Sequence, residues 1–167
     1  MVSGLKLFDL NGKTALITGS SQGIGYALAK GLADAGSDII LNGRNIEKLK
    51  KSAELLNTKQ KIFQLCFDVT DYKQTKQSID EFEKENKPID ILINNAGMQF
   101  RTPLEDFPPE KFELLLKTNV SSVFNVSQAV VKYMIKRGEG KIINIASVQT
   151  SLARPGIAPY TATKGAV

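Results

Sequence analysis

Thr14-Ala15-Leu16-Ile17-Thr18-Gly19-Ser20-Ser21-Gln22-Gly23-Ile24-Gly25 is the stretch that decides the fold of this 167-residue chain. An apolar run, a glycine-rich turn and the first turn of a helix follow one another without a break. Helical spacing carries Ile24, Leu28 and Leu32 from Gly23 to Ala35, and Gly36 is the stop. A helix entered this way offers free N–H groups and partial positive charge to a phosphate. Gly19 permits a tight bend, while Gly23 and Gly25 let backbone approach a pyrophosphate and let helix pack on sheet. The spacing is Gly-x-x-x-Gly-x-Gly, not the Gly-x-Gly-x-x-Gly of the commonest dinucleotide fingerprint. Taken alone, a glycine-rich turn with no ligand remains open.

The same alternation continues downstream. Asp38 to Asn42 reads as a second strand, and Asn45 can cap a helix carrying Leu49, Ala53 and Leu56. Lys61 to Phe67 reads as a third strand. Asp71 with Gln74 resembles a capping box for a helix through Ile79 and Phe82. Ile89 to Ile93 is a fourth strand, and Phe107-Pro108-Pro109-Glu110 opens a helix. A further helix runs from Val120 to Arg137 and ends at Gly138 and Gly140; Lys141 to Ala146 is a fifth strand. Pro155, Gly156 and Pro159 make a loop, and Tyr160 to Val167 reads as the first turns of a last helix. Apolar strands separated by helices predict an α/β fold, a Rossmann-like doubly wound parallel sheet, in one domain over 1–167. The motif residues are expected at carboxyl ends of strands or in the helix starts after them.

Composition excludes several function classes. The chain is 42% hydrophobic and 23% charged, as a soluble globular domain requires. No apolar run is long enough to span a membrane, so no membrane partner is expected. Met1 to Lys13 lacks a basic stretch followed by an apolar one, which predicts no export signal and a cytoplasmic location. The net charge of +5 comes from lysines scattered over helical surfaces such as Asn45 to Gln60, not from a basic block with aromatics. No nucleic-acid partner follows. Cys66 is the single cysteine; no disulfide can form within the chain, and its apolar surroundings predict a buried thiol. There is no histidine, hence no histidine ligand for a metal, and no metal site is expected. Proton transfer falls to tyrosine, lysine, a carboxylate or water.

Thr18-Gly19-x-x-x-Gly23-x-Gly25, Asn94-Asn95-Ala96-Gly97, Asn119, Ser147 and Tyr160-x-x-x-Lys164, in that order, resemble the short-chain dehydrogenase/reductase family over essentially the whole chain. The resemblance implies a nicotinamide-dependent oxidoreductase. It makes Ser147 the hydrogen-bond partner of the substrate carbonyl or hydroxyl and Tyr160 the proton donor or acceptor. A free tyrosine titrates near about pH 10. Lys164 lies one helical turn on, on the same face, and its charge favours a phenolate. Lys164 would also bind the nicotinamide ribose, and Asn119 would hold a water in a proton relay behind it. Gly19, Ser21, Gln22, Gly23, Ile24 and Gly25, then Asn95, Ala96 and Gly97, and finally Tyr160 and Lys164 are implied as cofactor contacts. Asp68, followed by Val69, resembles the family's adenine contact, with a turn or capping role for Asp68 equally open. Singly, Tyr160 reads as a surface aromatic, Asn119 as a helix-interior polar residue and Ser147 as a strand-end cap.

Cofactor choice turns on Asn42-Gly43-Arg44, where an acidic residue would have bound a ribose 2′-OH. Arg44 can take a 2′-phosphate through charge-assisted bonds, so NADP(H) is favoured over NAD(H). Otherwise Arg44 is a solvated loop charge. Met98 to Leu104 and Ser147 to Tyr160 resemble the family's subgroup that interconverts D-gluconate and 5-keto-D-gluconate. The partner implied is a small sugar acid: Arg101 would pair with its carboxylate, Gln99 and Gln149 with hydroxyls, Ser147 and Tyr160 with the reacting carbon's oxygen. A reductase of 3-oxoacyl groups on a carrier protein is the competing enzyme reading. Family members continue well beyond Lys164, completing that helix and adding two strands and a covering loop. The chain is therefore expected to leave a sheet edge unpaired and apolar helix faces uncovered. Poor folding, inactivity or a nucleotide-binding remnant is the expected result. Full-length relatives are expected to be homo-oligomers through the helices that carry Asn119 and Tyr160.

Overall fold

A computed structural model describes residues 4–167, so the reading of Met1 to Lys13 as free of an export signal falls partly outside the described residues. Strands and helices alternate as β1 (Thr14–Ile17), α1 (Gly23–Asp34), β2 (Asp38–Gly43), α2 (Ile46–Leu56), β3 (Ile62–Cys66), α3 (Tyr72–Glu85) and β4 (Ile91–Asn94). They continue as α4 (Pro109–Leu116), α5 (Ser122–Arg137), β5 (Lys141–Asn144) and α6 (Ala158–Gly165). All strand pairs are parallel, in the order β3-β2-β1-β4-β5. The order reverses beside β1, and that reversal opens a crevice at the carboxyl ends of β1 and β4.

The period-two alternation of strand side chains splits the core between the two faces of the sheet. Leu16, Ile40 and Leu92 pack with Ile79 and Phe82 of α3 and Val126, Val130 and Met134 of α5. Ala15, Ile17, Ile39, Leu41, Ile91 and Ile93 pack with Ala29 and Ala33 of α1 and Leu49 and Leu56 of α2. Helix α1 buries Gly25, Ala29 and Ala33. Its contact stripe is thus one position on from the Ile24, Leu28, Leu32 row. Small residues bring the helix close to the sheet, Leu28 and Leu32 flank the contact, and Ile24 is left 68% exposed.

Local sequence sets the helix ends. Asn45 accepts a bond from the Lys48 amide at 2.9 Å, and Asp71 accepts one from the Gln74 amide at 3.0 Å. The capping box at Asp71 is opened out, because the Gln74 side chain accepts from the Asp68 amide instead. Pro109 occupies the first turn of α4. Helices α4 and α5 are joined by a π turn, Lys117–Ser121, so the chain runs on without a loop between them. At the far end of α5, Arg137 donates to Glu83 of α3 at 2.9 Å and to the Ile89 carbonyl at 2.8 Å. Glu83 in turn accepts from the Ile89 amide.

One expectation is corrected. Cys66 is exposed, not buried, because it ends β3, an outer strand of the sheet. Strand β5 is the other outer strand; all four of its residues are exposed, and its outer edge has no strand partner among the described residues. Among the described residues no helix is long and apolar enough to cross a membrane.

Candidate active site

The glycine turn and the Asn94–Gly97 segment are stitched into one wall. Thr18 Oγ1 accepts from the Asn95 and Ala96 amides, both at 2.9 Å. Asn95 Nδ2 donates back to the carbonyls of Thr18 and Gly19. Gly19 has φ +62°, and a Cβ there would stand 3.0 Å from Ala96 Cα. A Cβ on Gly25 would lie 2.5 Å from both Asn95 Nδ2 and the Gly19 carbonyl oxygen. Only hydrogen fits at Gly25, while at Gly19 the left-handed backbone and the crowding by Ala96 disfavour any side chain. Of the helices that follow β1, β2 and β3, α2 and α3 are capped by side chains; α1 is not. Its first N–H groups are open to an anion.

Over this wall lies a cleft of about 490 Å³ lined by Gly19, Ser21, Gln22, Arg44, Asp68, Val69, Asn95, Ala96 and Gly97. Asn42 forms part of its floor, accepting from the Gly19 amide and donating to the carbonyls of Leu65 and Phe67. At the open end Arg44 is 80% exposed and lies 3.7 Å from the Asp68 carboxylate. Burial works against ionisation of Asp68. Two bonds from Thr70 and the charges of Arg44 and Lys117 outweigh it and hold the carboxyl below its ordinary value. Both roles foreseen for Asp68 are geometrically open, since it organises its own turn and also faces the cleft.

A second cavity, about 340 Å³, adjoins the first through Asn95, Gly97 and Met98. Ile24, Gln99, Ser147, Tyr160 and Lys164 line it. Ser147 lies just beyond β5 and caps a single 3-10 turn, accepting from the Gln149 amide. Tyr160 and Lys164 share one face of α6. Lys164 is buried, and its ammonium donates to the Ile145 carbonyl at 2.6 Å. Burial pushes its pKa below the ordinary lysine value.

Asn119 sits behind this cavity, fully buried in the π turn, and comes from neither a strand end nor a helix start. That corrects the expectation for its placement. Its Oδ1 accepts from the Met98 amide at 2.8 Å, and its Nδ2 donates to the Met98 carbonyl and to Thr163 Oγ1, both at 3.0 Å. A carbon added at Gly97 would stand 3.3 Å from Asn119 Oδ1 and 3.6 Å from Lys164 Nζ. With no side chain at Gly97, both Asn119 Oδ1 and Lys164 Nζ border the spot a Cβ would fill.

Other foreseen residues fall outside the two cavities. Gly23 and Gly25 shape the turn without lining either. Arg101 is exposed on its loop, and Gln149 is half-buried with its Oε1 lacking a partner among the described residues. Sequence reasoning missed Leu114 and Thr118 in the cleft. Their spacing of four across α4 and the π turn was the available signal.

The sequence profile of the short chain dehydrogenase family matches residues 13–167. The chain is 54% identical over 162 residues to a gluconate 5-dehydrogenase of Gluconobacter oxydans, covering 96% of this chain and 63% of that protein. It is 43% identical over 162 residues to a 5-keto-D-gluconate 5-reductase of Escherichia coli, covering 96% of this chain and 64% of that protein. The crystal structure of a gluconate 5-dehydrogenase from Burkholderia cenocepacia in complex with NADP and tartrate superposes with a TM-score of 0.94 at 51% identity. That match covers 98% of this chain and 65% of the other. The chain thus spans less than two thirds of the length of each.

Proposed function

This chain belongs to the short-chain dehydrogenase family, and we propose that its residues interconvert D-gluconate and 5-keto-D-gluconate with NADP(H). The proposal includes 1–167 as one dinucleotide-binding domain. One observation carries it: Ser147, Tyr160 and Lys164 line a single cavity that opens into the glycine-walled cleft. The dinucleotide fits the chain's own geometry, because the uncapped start of α1 meets its pyrophosphate and Arg44 meets a 2′-phosphate at the open end. The bound nicotinamide would supply the hydride.

Everything else is the work of the side chains. Ser147 donates a hydrogen bond to the substrate carbonyl oxygen. Tyr160 gives that oxygen its proton during reduction and takes it back during oxidation. Lys164, held by the Ile145 carbonyl, places its ammonium one helical turn from Tyr160. A water in the space over Gly97 would connect Lys164 to Asn119 Oδ1. Gln99 would meet a substrate hydroxyl within the cavity. Arg101 and Gln149 are proposed contacts on the neighbouring loops. The names of the relatives from Gluconobacter and Escherichia support the substrate, and the NADP in the Burkholderia structure supports the cofactor. A cytoplasmic location and homo-oligomeric full-length relatives complete the proposal.

A second reading, nucleotide binding without turnover, draws on β5, whose residues beside Ser147 are all exposed. The deciding experiment follows NADPH oxidation by the purified chain with 5-keto-D-gluconate, 2-dehydro-3-deoxy-D-gluconate and a 3-oxoacyl thioester. Faster oxidation with 5-keto-D-gluconate than with the other two is the expected result. Preference for the thioester would overturn the sugar-acid assignment. Binding of NADPH with no oxidation of any substrate would favour the second reading.

A further inference from the structure

We propose that Thr163 is a positioning residue for the Tyr160–Lys164 pair, fixing which end of the Asn119 amide faces Lys164. The proposal rests on the catalytic reading above and deepens it. Thr163 is fully buried. Its hydroxyl donates to the Tyr160 carbonyl at 2.8 Å, one turn back on α6. A hydroxyl has one proton, so with that proton committed the oxygen can only accept. It accepts from Asn119 Nδ2 at 3.0 Å, across 44 residues of sequence.

The consequence reaches the cavity. With Nδ2 directed to Thr163 and the Met98 carbonyl, Asn119 has used both of its amide protons. Its Oδ1 is left toward the Met98 amide and the space over Gly97, on the side of the Lys164 ammonium. An inverted amide would turn two protons toward a cation and two oxygens toward each other. Thr163 therefore adds to the Met98 backbone a second lock on the polarity of Asn119, mounted on the helix that carries both reactive side chains. A helical threonine bonded to a carbonyl one turn back is common by itself. The long-range bond from Asn119 is what gives this one a second task. Among the residues lining the cavity, Tyr160 is the titratable group besides Lys164, so the titration of Lys164 is a sensitive readout.

The test compares Thr163→Val, which keeps shape and removes the hydroxyl, with Thr163→Ser, which restores it. Thr163→Ala stands in should the valine variant fail to melt cooperatively. Two quantities are measured on the same preparations: the pH titration of the Lys164 ammonium by NMR, and kcat and KM for NADPH oxidation with 5-keto-D-gluconate. Loss of the oriented acceptor disfavours the charged lysine. The expected result is a Lys164 titration moved to lower pH in the valine or alanine variant and restored in Thr163→Ser. The kcat is expected to fall about tenfold or more with the KM for NADPH unchanged, and to recover in serine. An unchanged Lys164 titration in a folded variant lacking the hydroxyl, or serine behaving like valine, would overturn the proposal. Should the unsubstituted chain show no turnover, the catalytic reading fails on its own, while the titration still decides the role of Thr163.

Discussion

At the scale of single residues, the site depends on a few polar side chains, Asn119, Thr163 and Lys164 among them, whose partners are specific. Arg44 and Asp68 show what this adds to sequence reading. From sequence, Arg44 is a cation where an acid would have selected a 2′-OH. The structure adds that its guanidinium lies 3.7 Å from an Asp68 carboxylate held in its charged form. Replacing Arg44 with alanine therefore removes the proposed partner of a 2′-phosphate and leaves Asp68 with Lys117 as its remaining positive neighbour. Arg44→Ala is expected to weaken NADPH binding by about 10- to 100-fold, the loss of one or two charge-assisted bonds, and to leave NADH binding nearly unchanged. Fluorescence titration with each nucleotide checks this. Equal weakening for both would show that Arg44 does not read the 2′-phosphate. The Tyr160–Lys164 pair and the glycines were legible because their spacing is fixed by one helical turn or one βα turn, whereas Ser147 was legible only through the family resemblance. Thr163 was not, because nothing in a linear sequence shows that its hydroxyl meets Asn119 from 44 positions away.

At the scale of elements, the strands and helices were legible from their apolar periods and caps to within a few residues. Two features escaped that reading. The π turn at Lys117–Ser121 has no local signature of a bulge, and the bonds of Asn119 to Met98 and Thr163 that accompany it join residues far apart in sequence. The clamp of Arg137, Glu83 and Ile89 joins α5, α3 and the approach to β4, and pairing between helices 54 residues apart has no local signature. Glu83 has a side chain only 3% exposed. Arg137→Ala would strand its carboxylate and is expected to cost about 3–5 kcal/mol in urea denaturation. Lys30→Ala removes an exposed, solvent-screened pair with Asp34 on one helix and is expected to leave the urea midpoint nearly unchanged. Equal small losses for both would show that the clamp does not hold α5 to α3. Cys66 belongs here too: an apolar strand pattern says nothing of whether the strand is outer or inner, and that position alone exposes the thiol.

At the scale of the whole molecule, the order β3-β2-β1-β4-β5 brings the glycine turn and Asn95–Gly97 side by side. The continuation of β5 then delivers Ser147, and α6 delivers Tyr160 and Lys164, to the cavity beside them. The doubly wound arrangement was predictable because a parallel sheet with right-handed crossovers admits few orders. Contact of particular loop residues with substrate was not, since Arg101 and Gln149 sit on segments whose course the strand pattern does not determine. We propose that Tyr160 is the proton donor in a site where the chain itself binds NADPH. The most direct test measures NADPH binding and NADPH oxidation with 5-keto-D-gluconate for the chain and for Tyr160→Phe. NADPH affinity is expected to change far less than the rate, which falls at least about 100-fold with the loss of the hydroxyl. Oxidation by Tyr160→Phe at the rate of the unsubstituted chain would contradict the proposal.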